Sequence, residues 1–234
     1  MRWKDKHVIK VITGIRRCGK STLMELFQEY LLQDGISPEQ IIAVNLEDYE
    51  NEELTDPKKL HAYVMDRASK NKKAYVFLDE IQNVTDFSPM VDSLFIRKGL
   101  DLYITGSNAN MLSGELSTFL SGRCITVEML PLSFAEYVSW TGDTKELARK
   151  YTQYLETSSF PFVTELGDDR KAIEEYLSGI YSTVVLKDVV SRIRSSDPMM
   201  IESILRFILS SIGSQISTKK IADAMISDGR KIDV

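Results

Sequence analysis

The residues best equipped for chemistry fall in two short runs. Gly14-Ile15-Arg16-Arg17-Cys18-Gly19-Lys20-Ser21 follows an apolar stretch and precedes a helical pattern, while Tyr75-Val76-Phe77-Leu78 is an apolar stretch ending in the adjacent carboxylates Asp79 and Glu80. The first run matches G-x-x-x-x-G-K-S in the strand-to-helix setting that a phosphate-gripping loop requires. Gly14 and Gly19 let backbone N–H groups turn inward around an anion where a side chain would collide, and the helix after them presents its positive end. Lys20 is then placed to reach the β- and γ-phosphates of ATP, and the Ser21 hydroxyl to take a position on Mg2+. The expected nucleotide contacts are Gly14, Ile15, Arg16, Arg17, Cys18, Gly19, Lys20, Ser21 and Thr22. A Gly-rich turn that matches by chance is the alternative, and the surrounding strand and helix patterns speak against it.

In the second run, Asp79 is expected to steady the metal through a water and Glu80 to polarise an attacking water as general base. A helix cap is the plainer reading of the same pair. Gln82 could help to position that water or serve structure alone. Arg16 and Arg17 could touch phosphate, a partner subunit or solvent. Cys18 lies beside a helix N-terminus that would lower its thiol pKa and expose it to oxidation, against which stands a merely variable loop position. Asn45, Glu47 and Asp48 end another apolar run and would open onto the same face, since ligands gather at the carboxyl ends of parallel strands. Solvated acidic residues are the alternative there.

These groups need a scaffold, and the spacing of apolar runs describes one. Residues 8–13, 41–46, 74–78, 100–105 and 124–130 are short, mostly rich in Val, Ile or Tyr, and alternate with helical patterns, the rhythm of a parallel sheet with covering helices. After the first run, Leu23, Phe27, Tyr30 and Leu31 recur at helical spacing and Asp34-Gly35 supplies a stop. Pro57 after Asp56 or Thr55, and Pro89 after Ser88, mark two further helix starts. Beyond Pro131 the texture turns helical. Ile201, Ile204, Leu205, Ile208, Leu209 and Ile212 form a stripe over residues 200–212 that predicts a core-facing helix, and Ser217 or Thr218 caps the next. The expected division is 1–131, 132–198 and 199–234.

The 234 residues carry a net charge of −5, with 43% hydrophobic and 27% charged residues, the proportions of a globular protein. That charge argues against whole-molecule attraction to nucleic acid, although eight basic residues against six acidic ones from Lys187 onward leave a faintly basic end. The two cysteines have no metal-ligand spacing. No apolar stretch approaches the roughly 20 residues of a bilayer crossing, and nothing at the start reads as a signal peptide. The expectation is a cytoplasmic protein without membrane contact.

In order along the chain, GIRRCGKS, VFLDEIQ, ITGSNA and SGR followed by PLSFAEY resemble the AAA-type P-loop ATPases, and more narrowly a prokaryotic group of predicted ATPases; the likeness is strong over residues 8–140. The resemblance implies a three-layer α/β sandwich whose central parallel five-stranded sheet has the order 5-1-4-3-2, followed by a helical region and an incomplete winged-helix module. It also implies that Ser107 or Asn108, after the fourth strand, is a sensor of the γ-phosphate or the attacking water, an ordinary turn being the alternative. Arg123 would be a finger reaching a neighbouring subunit's phosphate, or else a structural ion-pair partner. A second sensor arginine could stand among Lys187, Asp188, Arg192 and Arg194, or that run is a solvated helical face. ADP is the expected retained ligand. The last segment stops at residues 231–234, where a recognition helix would begin, so a truncated chain is expected and any DNA contact would run through that incomplete module alone.

The resulting expectation is a Mg2+-dependent ATPase that drives a conformational change or assembly, as a homo-oligomer or with a partner protein. One rival is a nucleotide-gated binding module with little turnover. The other is a small-molecule kinase, which the Asp79-Glu80 pair and the polar segment after the fourth strand disfavour.

Overall fold

The apolar runs build a sheet whose three central strands are buried on both faces, while the two edge strands keep exposed positions. A computed structural model describes residues 2–68, 72–107, 122–142, 145–184 and 197–229. Its strands are β1 (Ile9–Thr13), β2 (Ile41–Asn45), β3 (Ala74–Asp79), β4 (Leu100–Gly106) and β5 (Cys124–Glu128). All pair in parallel, in the order β2-β3-β4-β1-β5, which is the expected 5-1-4-3-2 arrangement viewed from the other edge. The fifth strand stops two residues early, where Met129 N–H still donates to Thr13 O at 2.7 Å but Leu130 is already exposed.

Helices α1 (Lys20–Gln33), α2 (Pro57–Arg67) and α3 (Phe87–Phe95) complete the three layers. Val76, Leu78, Leu102 and Ile104 pack with Leu60 and Val64 of α2 and Val91 and Leu94 of α3. Their odd-numbered neighbours Tyr75, Phe77 and Tyr103 pack with Met24, Phe27 and Leu31 of α1 on the opposite face. Because side chains alternate along a strand, Asp79 and Thr105 continue that second row, on the face that carries α1 and the loop before it. The packing of the sheet therefore decides where the carboxylate points.

Asp56 caps α2 by accepting from Lys58 N and Lys59 N, with Pro57 in the first turn as expected. These backbone bonds, that from Lys59 foremost, hold the Asp56 carboxyl below its ordinary range. At α3 the expectation is corrected. The helix begins after Asp86 rather than after Ser88, and Pro89 stands third, where a missing N–H still costs nothing because the first-turn amides have no intrahelical acceptor.

The chain divides into two compact units, Met1–Asp168 and Asp169–Val234. The first also holds α4 (Phe134–Trp140), opened by a capping box between Ser133 and Glu136, and α5 (Leu147–Thr157). The second contains α6 (Arg170–Thr183), α7 (Pro198–Ser210) and α8 (Thr218–Ser227), capped by Asp169, Asp197 and Ser217. The predicted core stripe of α7 is only partly realised, with Ile201 buried but Leu209 and Ile212 53% and 78% exposed. Helix α7 packs on α8, and so small a unit can cover only one side of such a stripe. Among the described residues these helices form a pair and do not define a winged-helix module; residues 231–234 lie outside the described residues. The charged run from Lys187 to Arg194 lies outside them too.

Candidate nucleotide site

At the end of β1 the chain turns so tightly that Gly14 lies against the strand-five connection. A Cβ built there would stand 2.2 Å from Met129 O and 2.9 Å from Cys18 Sγ. Arg17 and Gly19 are left-handed, with φ of 64° and 100°. Helix α1 follows with Gly19 as its N-cap, a residue with no side chain to cap the leading amides, in the manner of an anion-binding helix start. Lys20 is 4% exposed. Its Nζ donates to Ile15 O at 3.2 Å and lies 3.8 Å from Glu80 Oε1, which brings the loop and the acidic end of β3 together.

Glu80 itself is in an unusual conformation, with φ 55° and ψ 51°, a left-handed state that costs a non-glycine residue on the order of 1–3 kcal/mol. Its N–H donates to Thr105 Oγ1 at 2.9 Å, and the same hydroxyl donates to Asp79 Oδ1. On the side chain, Glu80 Oε2 accepts from Ser107 Oγ at 2.7 Å and from Gln82 Nε2. Gln82 Oε1 is buried with no hydrogen-bond donor among the described residues. Asp79 and Glu80 each keep 8% of their surface exposed, enough for a small ligand to meet them.

Mg2+ chemistry suits this donor set. Magnesium is held by one or two carboxylates together with phosphate oxygens and water rather than by an all-protein cage. Among the described residues there is no cluster of three His, Cys, Asp or Glu side chains that could hold a metal by itself, and Asp79, together with Ser21 of the loop, would be the protein donors in that mode.

Beside the loop a cleft of about 790 Å³ is lined by Gly19, Thr22, Leu23, Leu26, Met129, Leu130, Trp140 and Tyr154, among others. Its walls are fixed from behind: Tyr154 OH donates to Leu132 O at 2.7 Å and Leu132 N–H to Ser159 O at 2.8 Å. Leu26, Leu130 and Trp140 remain more than half exposed, which gives the cleft an apolar mouth.

The other residues singled out in the sequence are placed as follows. Arg16 Nη1 lies 3.9 Å from Glu47 Oε1, and Asn45 Oδ1 accepts from Glu47 N–H at 2.9 Å. Asp48 accepts from Glu50 N–H and opens a 3-10 turn. Cys18 is 1% exposed and burial pushes its thiol pKa up, with Lys20 opposing; the expected lowering by the helix terminus is corrected, since desolvation outweighs it. Arg123 lies at the other end of the sheet from the loop, its neighbour Cys124 paired with Ile9. There it meets Asp92 Oδ1 at 3.3 Å and stands over the Phe95 ring. Asn108 lies outside the described residues. Thr105 and the cleft walls Trp140 and Tyr154 escaped the sequence reading, because a threonine in a strand and aromatics in helices carry no local signature.

A β1-loop-α1 unit facing a carboxylate-tipped β3 across a 5-1-4-3-2 sheet defines a P-loop nucleotide-binding fold. The AAA domain family's sequence profile matches residues 6–138, and the chain belongs to that family of P-loop ATPases. It is 34% identical over 232 residues to an uncharacterized Haemophilus influenzae protein, covering 97% of this chain and 58% of that protein. A Methanocaldococcus jannaschii protein, also uncharacterized, is 30% identical over 242 residues, covering 96% and 51%. The chain thus spans little more than half the length of these relatives. Among solved structures it is similar to the Aeropyrum pernix ORC2 protein in its ADP form, at 13% identity and TM-score 0.47, over 94% of this chain and 74% of the other. It is also similar to C. elegans PCH-2, at 13% identity and TM-score 0.44, over 99% and 57%.

Proposed function

We propose that this chain binds ATP with Mg2+ at the loop of residues 14–22 and hydrolyses it to ADP and phosphate, coupling turnover to a change of conformation or assembly. The observation that carries the proposal is the approach of Lys20 Nζ to within 3.8 Å of Glu80 Oε1, since a γ-phosphate gripped by the loop would then lie beside a carboxylate. In this reading the backbone amides from Gly14 to Thr22 hold the phosphates and Lys20 exchanges its contacts with Ile15 O and Glu80 for phosphate oxygens. The base of the nucleotide occupies the apolar cleft. Magnesium on Ser21 and Asp79 would neutralise charge developing on the transferred phosphoryl group. Glu80 takes a proton from the attacking water, and the orphan carbonyl oxygen of Gln82 offers that water an acceptor. Ser107 takes the sensor role in this reading, supported by the bond from its hydroxyl to Glu80. Arg123 is too far along the sheet to serve its own nucleotide and would act on a neighbouring chain, leaving Asp92 to do so.

Replacing Glu80 by Gln should leave ATP binding intact and lower turnover by roughly 10²–10⁴-fold, the usual worth of a general base. Calorimetric titration with ATP and a phosphate-release assay measure the two, and unchanged turnover removes Glu80 from the role. A second reading, the nucleotide-gated module with little turnover, is favoured by one observation: Glu80 Oε2 is already occupied by Ser107 and Gln82. Slow wild-type turnover together with ATP-dependent assembly in light scattering would select it.

A further inference from the structure

The side chain that ties the two carboxylates together has no place in the scheme so far. Thr105, fully buried on β4, uses one hydroxyl for two neighbours on β3, accepting from Glu80 N–H at 2.9 Å and donating to Asp79 Oδ1. The first bond restrains the residue whose backbone is left-handed, and that backbone state sets the direction in which the Glu80 carboxylate leaves the strand. The second occupies Asp79 Oδ1, which leaves the other oxygen for the metal in the reading above. A hydroxyl accepts from an amide and donates to a carboxylate through one atom, which a thiol does only weakly; valine would fill the same space and do neither.

We infer that Thr105 is a positioning residue for phosphoryl transfer, fixing the general base and the metal-side carboxylate in mutual register through a single hydroxyl. The inference rests on the reading of Asp79 and Glu80 given above. Its consequence is that the two carboxylates cannot be set independently: loss of the hydroxyl loosens the aim of Glu80 and frees Asp79 to turn, while the backbone amides of residues 14–22, which carry the proposed phosphate contacts, do not depend on that hydroxyl. The damage therefore falls on turnover and on the metal requirement, not on ATP affinity.

The test compares Thr105→Val and Thr105→Ser in the full chain. Steady-state ATP hydrolysis is followed against ATP and against Mg2+, beside calorimetric ATP binding and thermal melts. The valine chain is expected to lose about 10²-fold in kcat, the scale of a misplacement near 1 Å, with KM for ATP nearly unchanged and half-maximal activity displaced to higher Mg2+. Serine, which keeps the hydroxyl, is expected to recover most of the loss. Should the valine chain fail to fold, Thr105→Cys, of similar size and only a weak donor, gives the same readings. A valine or cysteine chain as active as wild type, or a serine chain as impaired as valine, overturns the inference. So does a loss confined to ATP affinity or melting temperature. A wild-type chain that neither binds nor hydrolyses ATP sinks the underlying reading instead, which keeps the two failures apart.

Discussion

At Gly14 a single methyl group separates a working loop from a broken one. A Cβ 2.2 Å from Met129 O cannot be relieved by rotating a side chain, because the obstacle is backbone, and that backbone is held by the bond from Met129 N–H to Thr13 O. Gly14→Ala is therefore expected to lower the melting temperature and to raise the Kd for ATP by at least about tenfold, or 1.4 kcal/mol. Gly179, inside α6 with nothing within 4 Å of its Cβ position, is the control: Gly179→Ala should leave ATP binding unaltered and stabilise by up to about 1 kcal/mol, the helix preference for alanine. Calorimetry and melts on both variants decide it, and equal ATP affinity in the Gly14 variant would refute the close-approach argument. The loop was legible in the sequence because its glycines, Lys20 and Ser21 stand at fixed spacing within one short run between a strand and a helix. Thr105 was not, since its role depends on β3 and β4 lying side by side, a long-range pairing that no local pattern encodes.

Among the elements, β1 carries a charge that its sequence does not explain. Lys10, the second residue of the strand, is 1% exposed, paired with Asp101 of β4 and donating to Lys6 O at 2.7 Å. Asp101 in turn accepts from Tyr103 OH at 3.0 Å and from Asp5 N–H at 2.9 Å. Burial pushes the Lys10 pKa down while Asp101 opposes the shift. The network fastens residues 2–8 across the amino-terminal ends of the strands, away from the loop. Removing one member of such a buried pair leaves a charge without compensation, so Asp101→Ala should cost about 3–5 kcal/mol in denaturant unfolding. A cost below about 1 kcal/mol would mean that Lys10 finds water or another partner. All five strands were visible as apolar runs: burial on both faces makes the runs of β1, β3 and β4 continuous, and the edge strands β2 and β5 still carry Ile and Val at alternate positions. The helix starts were visible where Asp56 and Ser217 stand as caps. What pattern could not foretell was the exposed half of the α7 stripe, since periodicity records which residues share a face and not whether a second layer covers it.

For the whole molecule, the useful question is how much chain the site needs. The family match ends at residue 138, yet the cleft beside the loop is also lined by Trp140, Tyr154, Ser159 and Pro161. Those residues are tied back to the sheet connection: Tyr154 OH and Ser159 O bracket the backbone of Leu132, and Phe134 lies edge-on to Tyr151 and Tyr154. The first compact unit closes at Asp168 and so contains every proposed nucleotide contact together with the complete cleft. A fragment of residues 1–168 should therefore fold cooperatively and bind ATP within a few-fold of the full chain, a difference below about 1 kcal/mol. A fragment cut at 138 severs α4, loses one wall of the cleft and uncovers Phe134 and Tyr137, and it should bind ATP at least about tenfold more weakly. Calorimetric titration of the two fragments beside the full chain separates the cases. If the 1–168 fragment folds but takes up no ATP, the second unit contributes to the site; if the 1–138 fragment binds as tightly as the longer one, the cleft is not where the base resides.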